Sequence, residues 1–516
     1  MIRPAIRRLA AVVAVALTGA LGISGTVAPA TAATKTLVIG LSSDPAPSSY
    51  DPILFQNGQN IFYEALYDSL FYPDGKGGVL PGLALKGDVN SDKTELTLTL
   101  RPNVKFQDGT ALTGEVVKRN LDRAIKAVKD DTLAAYQVFQ KGASSEITSV
   151  GIKGDEVTIR FAKAQGNATG LFVGVPGMIT SVAGASNPAN MQKAPLGSGP
   201  YKLVKTGTVK NNTYKLVKNT AHWRAKSYPW PAVTYKVLTN PQAAANALVT
   251  GQVDILDVIN GASVDFVKSR KAGIVAQGGR VFWLQFWNGG QNPPGPKPIA
   301  GDKNVRLALS YATDRAALVK ALFKGDRPTA SLFPKGTPGY NADLDAKYTY
   351  NPTKAKQLLA DAGVKDLTIE MIIGPDQVAY GQALAAQWAK VGVTLKPKVF
   401  TTTDELFGAV GWELFGFFDT TFGDNPSGFV AGVMVYGFGN FLGTKNPAVN
   451  GSLGAALGNP SAANLKALNA ALVDEAWAVP IREGQAYVGF NKKTVKAPAL
   501  KLPGESRPML IDIKKK

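Results

Sequence analysis

A chain of 516 residues, 45% hydrophobic and 18% charged, is globular in composition and long enough for two or three lobes, each burying its own core. It carries 57 Lys and Arg against 38 Asp and Glu, a formal charge of +19, one histidine and no cysteine. Without Cys there are no disulfides, thiolate nucleophiles or Cys-ligated metal centres, and a lone His222 leaves metal sites and most hydrolytic triads short of imidazole.

In chain order, the first segment reads as a processing signal. Arg3, Arg7 and Arg8 form a basic start, Leu9 to Leu21 an apolar run too short to span a bilayer, and Ala30-Thr31-Ala32 a small-residue cleavage site. The expectation is a signal peptide over 1–32 and an exported, soluble mature chain of charge +16 once three arginines are lost from +19. Export disfavours a nucleic-acid partner. The positive residues are scattered apart from Lys514 to Lys516 and Lys268 to Lys271, so solvated surface is the expected use of the charge.

Leu37 to Leu41 is a short apolar strand, Asn60 to Leu70 a helix, and Glu95 to Leu100 (ELTLTL) an alternating strand. Asp108-Gly109 supplies a turn, and Thr113 starts an amphipathic helix. His222 follows a strand-like run with no nucleophile elbow nearby, which predicts a packed or surface role rather than a catalytic one. Gly289 to Pro298 (GGQNPPGPKP) reads as an exposed loop. Val305 to Ala312 and Arg315 to Phe323 are two helices meeting where Thr313 or Asp314 caps the second. NPTKAKQLLADAG is a complete helix: Asn351 at its N-cap, Pro352 opening it, Ala355, Leu358, Leu359 and Ala362 on its apolar face, Gly363 at its end. Strand Leu367 to Ile373, helix Gly381 to Val391 closing at Gly392, and strand Val393 to Val399 complete an α/β unit.

Four segments, taken in order, resemble the family 5 solute-binding proteins of ABC importers, the oligopeptide, dipeptide and nickel-binding group. They are YEALYDSLFYPDGKGGVLPGLA from Tyr63 with LTLTLRPNVKFQDGTALTGEVVKRNLDRA from Leu96; PLGSGPYKLVK from Pro195, with Ser198 where the family has Thr; ALVTGQVDIL from Ala247; and NVRLALSYATDRAALVKALFKG from Asn304. The resemblance implies an α/β, type II periplasmic-binding-protein fold with two α/β lobes, an inserted domain and a ligand cleft between the lobes. Mapped onto this chain, lobe I takes 34–72, 191–280 and 486–516, the inserted domain II 73–190, and lobe III 281–485. The chain then crosses between lobes near 280 and 485, the expected hinge.

The same resemblance implies a peptide-like or other small solute, an ABC permease as partner, no catalytic residue, no cofactor, no metal and a monomer. With no lipobox cysteine, the expected location is periplasmic, extracellular or cell-surface. Its implied ligand contacts are Ser48 in the Ser43 to Tyr50 loop, Asp257, Phe417, Asp419, Asn440, Tyr487 and Tyr136, with Asp419 pairing a peptide ammonium. Asp424 competes with Asp419 for that role, and alternation turns one of Phe417 and Phe418 inward. Two other readings stay open: an oligosaccharide stacking on Trp223, Trp230, Trp283, Trp287 or Trp412, and a secreted hydrolase working with paired carboxylates.

Overall fold

The computed structural model describes residues 36–55, 60–74, 78–130, 132, 144, 146–259, 262–286, 302–374, 377–400, 414–420, 426–436, 438–440, 443–500 and 508–516. The expected signal segment and the 289–298 loop lie outside the described residues.

The strands begin with β1 (Leu37–Leu41), β2 (Phe71–Pro73), β3 (Val79–Pro81), β4 (Ala84–Val89), β5 (Glu95–Leu100), β6 (Ile147–Lys153) and β7 (Glu156–Phe161). Then come β8 (Tyr201–Val209), β9 (Thr213–Lys218), β10 (Ala232–Val237), β11 (Ile255–Ile259) and the long β12 (Gly273–Phe286). The rest are β13 (Arg327–Pro328), β14 (Leu367–Ile373), β15 (Val393–Val399), β16 (Leu414–Thr420) and the long β17 (Ala478–Phe490). One large sheet runs β15-β14-β16-β12-β17-β11-β1-β10-β9-β8, with β13 on β17, while β4-β5-β7-β6 and β2-β3 form two smaller sheets.

Local chemistry accounts for these elements. β1 lies between β10 and β11 and parallel to both, so its LVIGL run is apolar throughout. In β5 the leucines Leu96, Leu98 and Leu100 are buried and the alternate residues are not, the signature of a one-sided sheet. The Thr113 side chain accepts the Val116 N–H and caps the helix Gly114–Lys129, while Asp314, not Thr313, caps the helix Arg315–Leu322 by accepting from Ala317. Thr313 is used differently: its hydroxyl donates to the Leu309 carbonyl and accepts from the Trp388 indole.

The helix expected to reach Leu70 is shorter, Asn60–Leu66. Its last carbonyl is taken at 3.0 Å by the N–H of Gly199, and the chain beyond is drawn into a bridge between Ser69 and Met178 and then into β2. This gives PLGSGPYKLVK its physical meaning. A Cβ at Gly197 or Gly199 would press on the backbone of Leu66 and the neighbouring Tyr67. Replacing Gly199 with Ala should therefore lower stability by about 2 kcal/mol, read as a shift of the urea midpoint at constant slope; an unchanged midpoint would contradict the close approach.

Buried side chains gather in separate cores. One draws on Leu37 to Tyr67, Tyr201 to Tyr235 and the C-terminal Val488 to Ile513, and a smaller one beside it on Ala244 to Val267. A second large core holds Leu70 to Ile179, around β4 to β7 and the helix Gly114–Lys129. A third runs from Val281 to Ile481.

β12 and β17 join these regions. They pair antiparallel from Gly273 opposite Phe490 to Gln285 opposite Ala478. At one end β17 also pairs with β11, and at the other β12 also pairs with β16. Between the ends, Gly279 faces Gln485 and Arg280 faces Gly484, with register shifts on either side, at Ala276/Gly279 and at Phe282/Trp283. Such irregularities sharpen local twist, so the two halves of the sheet meet through a pair of bulged strands.

Candidate functional site

In α/β sheets ligands sit beyond the carboxyl ends of parallel strands. In the β1/β11 half, Ser42 lies just past the carboxyl end of β1, and Asp257 lies within β11 just beyond its last residue registered with β1. Asp257 is buried, and its Oδ2 accepts from the Ser42 hydroxyl at 3.2 Å. Its backbone carbonyl accepts from Gln277 Nε2 at 2.8 Å, and Gln277 sits in the first bulge of β12. Beside them, Tyr487 of β17 pairs with Ile259 and Ala276, half-buried, with the Lys268 ammonium 5.5 Å from its ring centre.

A pocket of about 180 Å³ opens here, lined by Ser42, Asp257, Ile259, Leu238, Pro241 and Ser263 among others. It is small beside the 300 Å³ or so that a whole ligand needs, and suits one side chain or one end of a longer solute. A larger cavity of about 410 Å³ lies by Leu367 and Gly392, at the amino ends of β14 and β15. That is the wrong end of the strands for an α/β ligand site, so the smaller pocket is the better candidate.

In the other half, β16 runs parallel to β14 and antiparallel to β12. Asp419, one residue from the end of β16, pairs with Phe282, which pairs with Arg482, which pairs with Pro328, so the four share one row across four strands. The Arg482 guanidinium stacks 3.4 Å from the Phe282 ring centre and 3.9 Å from that of Phe323, and is ion-paired with Asp326. Burial pushes the Asp326 carboxyl above its ordinary range, against the pull of Arg482. On the next residue of β17, Glu483 pairs with Arg327 at 2.5 Å, and Arg327 reaches Asp345 at 2.8 Å. Burial raises the Asp345 carboxyl, but hydrogen bonds from Ala330 N–H, Arg327, Thr329 and Tyr340 outweigh it and hold the group below its ordinary range. The crossing of β12 and β17 is thus braced by aromatic stacking and paired charge.

The predicted contacts separate into groups. Asp257 and Tyr487 are together. Phe417 and Asp419 belong to β16, of which only the backbone register is described. Three strand spacings and six residues along β17 separate the backbone of Asp419 from that of Asp257, on the order of 20 Å. Asn440 is buried, and its amide donates to the carbonyls of Val435 at 2.7 Å and Thr444 at 2.8 Å while accepting from Thr444 N–H, which uses both its hydrogens to hold its own loop. Ser48 is exposed, and it is Ser42, six residues earlier, that reaches Asp257. Tyr136 and Asp424 lie outside the described residues. Sequence reading missed Ser42, Gln277, Phe282 and Arg482. Only the position of Ser42 just past a predicted apolar strand could have flagged any of them.

The histidine offers no chemistry at the surface. His222 and Asp68 are wholly buried, with His222 Nε2 3.0 Å from Asp68 Oδ1. Ser198 donates its hydroxyl to Asp68 at 2.8 Å, not to the imidazole, so these three residue types are not wired as a nucleophile and its base. Among the described residues, no group of three or more His, Cys, Asp or Glu converges as a metal site, and no helix is long and apolar enough to cross a membrane.

Comparison with known proteins gives this geometry its relatives. The profile of bacterial extracellular solute-binding proteins, family 5 Middle, matches residues 78–429. The dipeptide-binding protein of Escherichia coli (strain K12) is 27% identical over 395 residues, 70% of this chain and 71% of its own length. Heme-binding protein A of Haemophilus influenzae is 26% identical over 393 residues, 70% of this chain and 69% of its own. Among solved structures, the periplasmic binding protein DppA from Helicobacter pylori, in complex with peptide STSA, superposes with a TM-score of 0.78 at 21% identity, covering 93% of this chain and 98% of that one. NikA from Brucella suis, in complex with Fe(III)-EDTA, does so with a TM-score of 0.74 at 20% identity, covering 93% and 100%. The fold is therefore the α/β type II periplasmic-binding-protein fold. With two thirds of its length matched by that profile, the chain belongs to the bacterial extracellular solute-binding proteins of family 5.

Proposed function

We propose that this protein captures a peptide-like solute between two α/β lobes and delivers it to the permease of an ABC importer, without covalent chemistry. The observation that carries the reading is the β12–β17 crossing. Two strands shared by both halves of the sheet have the Asp257 pocket, with Tyr487 on the neighbouring strand, on one side and the Asp419 row on the other. Closing one half on the other about that crossing desolvates a bound solute and sums its contacts with both halves. The lobes are assigned as 34–72, 191–280 and 486–516 for lobe I, 73–190 for the inserted domain and 281–485 for lobe III, a division supported by the separate cores.

Within this reading Asp419 pairs the ligand ammonium, Phe417 lines its strand, and Asp257 and Tyr487 close the far end. Ser48 and Tyr136 contact the solute from their loops, and Asn440 shapes the site by holding the 440–444 turn. The name of the Escherichia coli relative supports a peptide, and the basic start, apolar run and small-residue site of 1–32 support a leader and a mature monomer that acts outside the cytoplasm.

The test is native mass spectrometry of the mature protein purified from its own host, followed by denaturation and identification of what is released. A ladder of peptide masses is expected. A single non-peptide mass, such as an oligosaccharide, would keep capture and discard the peptide. Peptides and oligosaccharides incubated with the protein should remain intact, and turnover of either would revive the paired-carboxylate hydrolase.

A further inference from the structure

Between Glu156 and Asp254 the chain has no acidic residue, whereas eleven Lys and Arg fall in that stretch. The fold gathers part of this charge on one face. In the antiparallel β8-β9-β10 end of the large sheet, Tyr214, Leu216, Val233 and Tyr235 point into the core. The opposite face therefore carries the other parity. Lys202 lies opposite Val217, Lys215 lies between Val204 and Thr234, and Lys236 lies opposite Thr213.

Lys202, Lys215 and Lys236 thus form a diagonal across three strands, each step a next-row neighbour about 7–8 Å away. Like charges at that spacing repel. Some cations elsewhere have a carboxylate partner, as Arg160 has Glu95 and Lys347 has Asp474, each at 2.9 Å. Among the described residues no carboxylate reaches these three. Lysines on an edge strand deter pairing with other chains, but that explains only Lys202 on β8, since β9 and β10 are interior strands. Exposed valines are interleaved with the charge: Val217 is 46% exposed, and Val209, at the end of β8, is 57% exposed.

We propose that this face docks on an anionic phospholipid bilayer. Lysines act as point charges suited to a diffuse field of headgroup phosphates, whereas reading a nucleic-acid strand calls for Arg forks and stacking aromatics, and the face has neither. Valines between the lysines fit the apolar margin of a lipid interface better than a wholly hydrated polymer. The face lies at the far end of the sheet from β12 and β17, so docking leaves the crossing free to move.

The experiment is co-sedimentation of the full chain, at low ionic strength, with phosphatidylcholine vesicles with and without phosphatidylglycerol. Binding is expected only with phosphatidylglycerol. The triple variant Lys202→Gln, Lys215→Gln, Lys236→Gln should partition about a hundredfold less, roughly fivefold per lysine. A control triple, Lys356→Gln, Lys365→Gln, Lys390→Gln, makes the same change in net charge at exposed lobe III positions and should bind as the parent does. Equal weakening of both triples would overturn the proposal, as would a parent that ignores phosphatidylglycerol. Binding to soluble polyphosphate but not to vesicles would also overturn it, in favour of an anionic polymer. Thermal melts establish that the variants fold; if the triple does not, Lys215→Gln alone should lose about fivefold.

Discussion

Replacing Asp419 with Asn will weaken binding of peptides with a free amino terminus by about a hundredfold, close to 3 kcal/mol, and leave N-acetylated peptides nearly unaffected. An ammonium taken out of water by cleft closure needs a counter-charge, and Asn keeps the size of the side chain without supplying one. An acetylated peptide brings no charge to be satisfied. Titration calorimetry with both versions of one peptide separates these terms. Losses of equal size for both would mean that Asp419 shapes the strand end and does not meet the ligand. The same pair of titrations on Asp424→Asn decides between the two carboxylates, since only the one facing the ammonium can discriminate free from blocked peptides. Because this test depends on an amino-terminal charge, it separates a peptide carrier from a carrier of neutral sugars in the same fold.

Much of the fold is legible in the sequence wherever a local rule sufficed. β1, β5, β14 and β15 stand where apolar runs and alternation put them, and Asn351 caps its helix by accepting from Lys354 N–H. What escaped is what sheet register decides. Asp257 meets Ser42 across 215 residues, a contact fixed by β1 and β11 lying side by side. Reading the Ser43 to Tyr50 loop by resemblance selected Ser48 instead, because nothing local distinguishes one loop serine from another. The helix end at Leu66 was missed because the partner of its last carbonyl, Gly199, is far away in sequence. The lysine diagonal was invisible for the same reason: Lys202, Lys215 and Lys236 look scattered until three strands set them on one face. Asn440 shows the converse, a residue type that suits ligand contact whose hydrogens are spent on its own loop.

Replacing Asp68 with Ala should cost about 3–5 kcal/mol of stability, the penalty for breaking a buried charged network by removing one member. Asp68 accepts from the Tyr72 and Ser198 hydroxyls at 2.8 Å each, from Trp223 Nε1 at 3.2 Å and from His222 Nε2 at 3.0 Å. His222 Nδ1 accepts the Arg224 N–H at 3.1 Å, which assigns the proton to Nε2 and makes the imidazole a neutral donor. Arg101 and Arg224, stacked on Trp223, complete the charged surroundings. Burial raises the Asp68 carboxyl, but the hydrogen bonds it accepts from His222, Tyr72 and Ser198 outweigh it and hold the group below its ordinary range. A carboxyl lowered on folding contributes stability above its unfolded value, about 3.9, and loses that contribution as pH falls through the folded value. The gap in urea midpoint between parent and variant should therefore be full near neutral pH and shrink in acid below about 4. A gap that stays constant through that range would mean that packing, not the ionised carboxylate, is what Asp68 supplies. The network ties the turn at Ser198 and the loop at His222 to β2, away from β12 and β17, so ligand affinity should be unchanged in the variant. A ligand that binds only the folded state then stabilises both proteins by the same increment, and unequal increments would place Asp68 among the residues that govern closure.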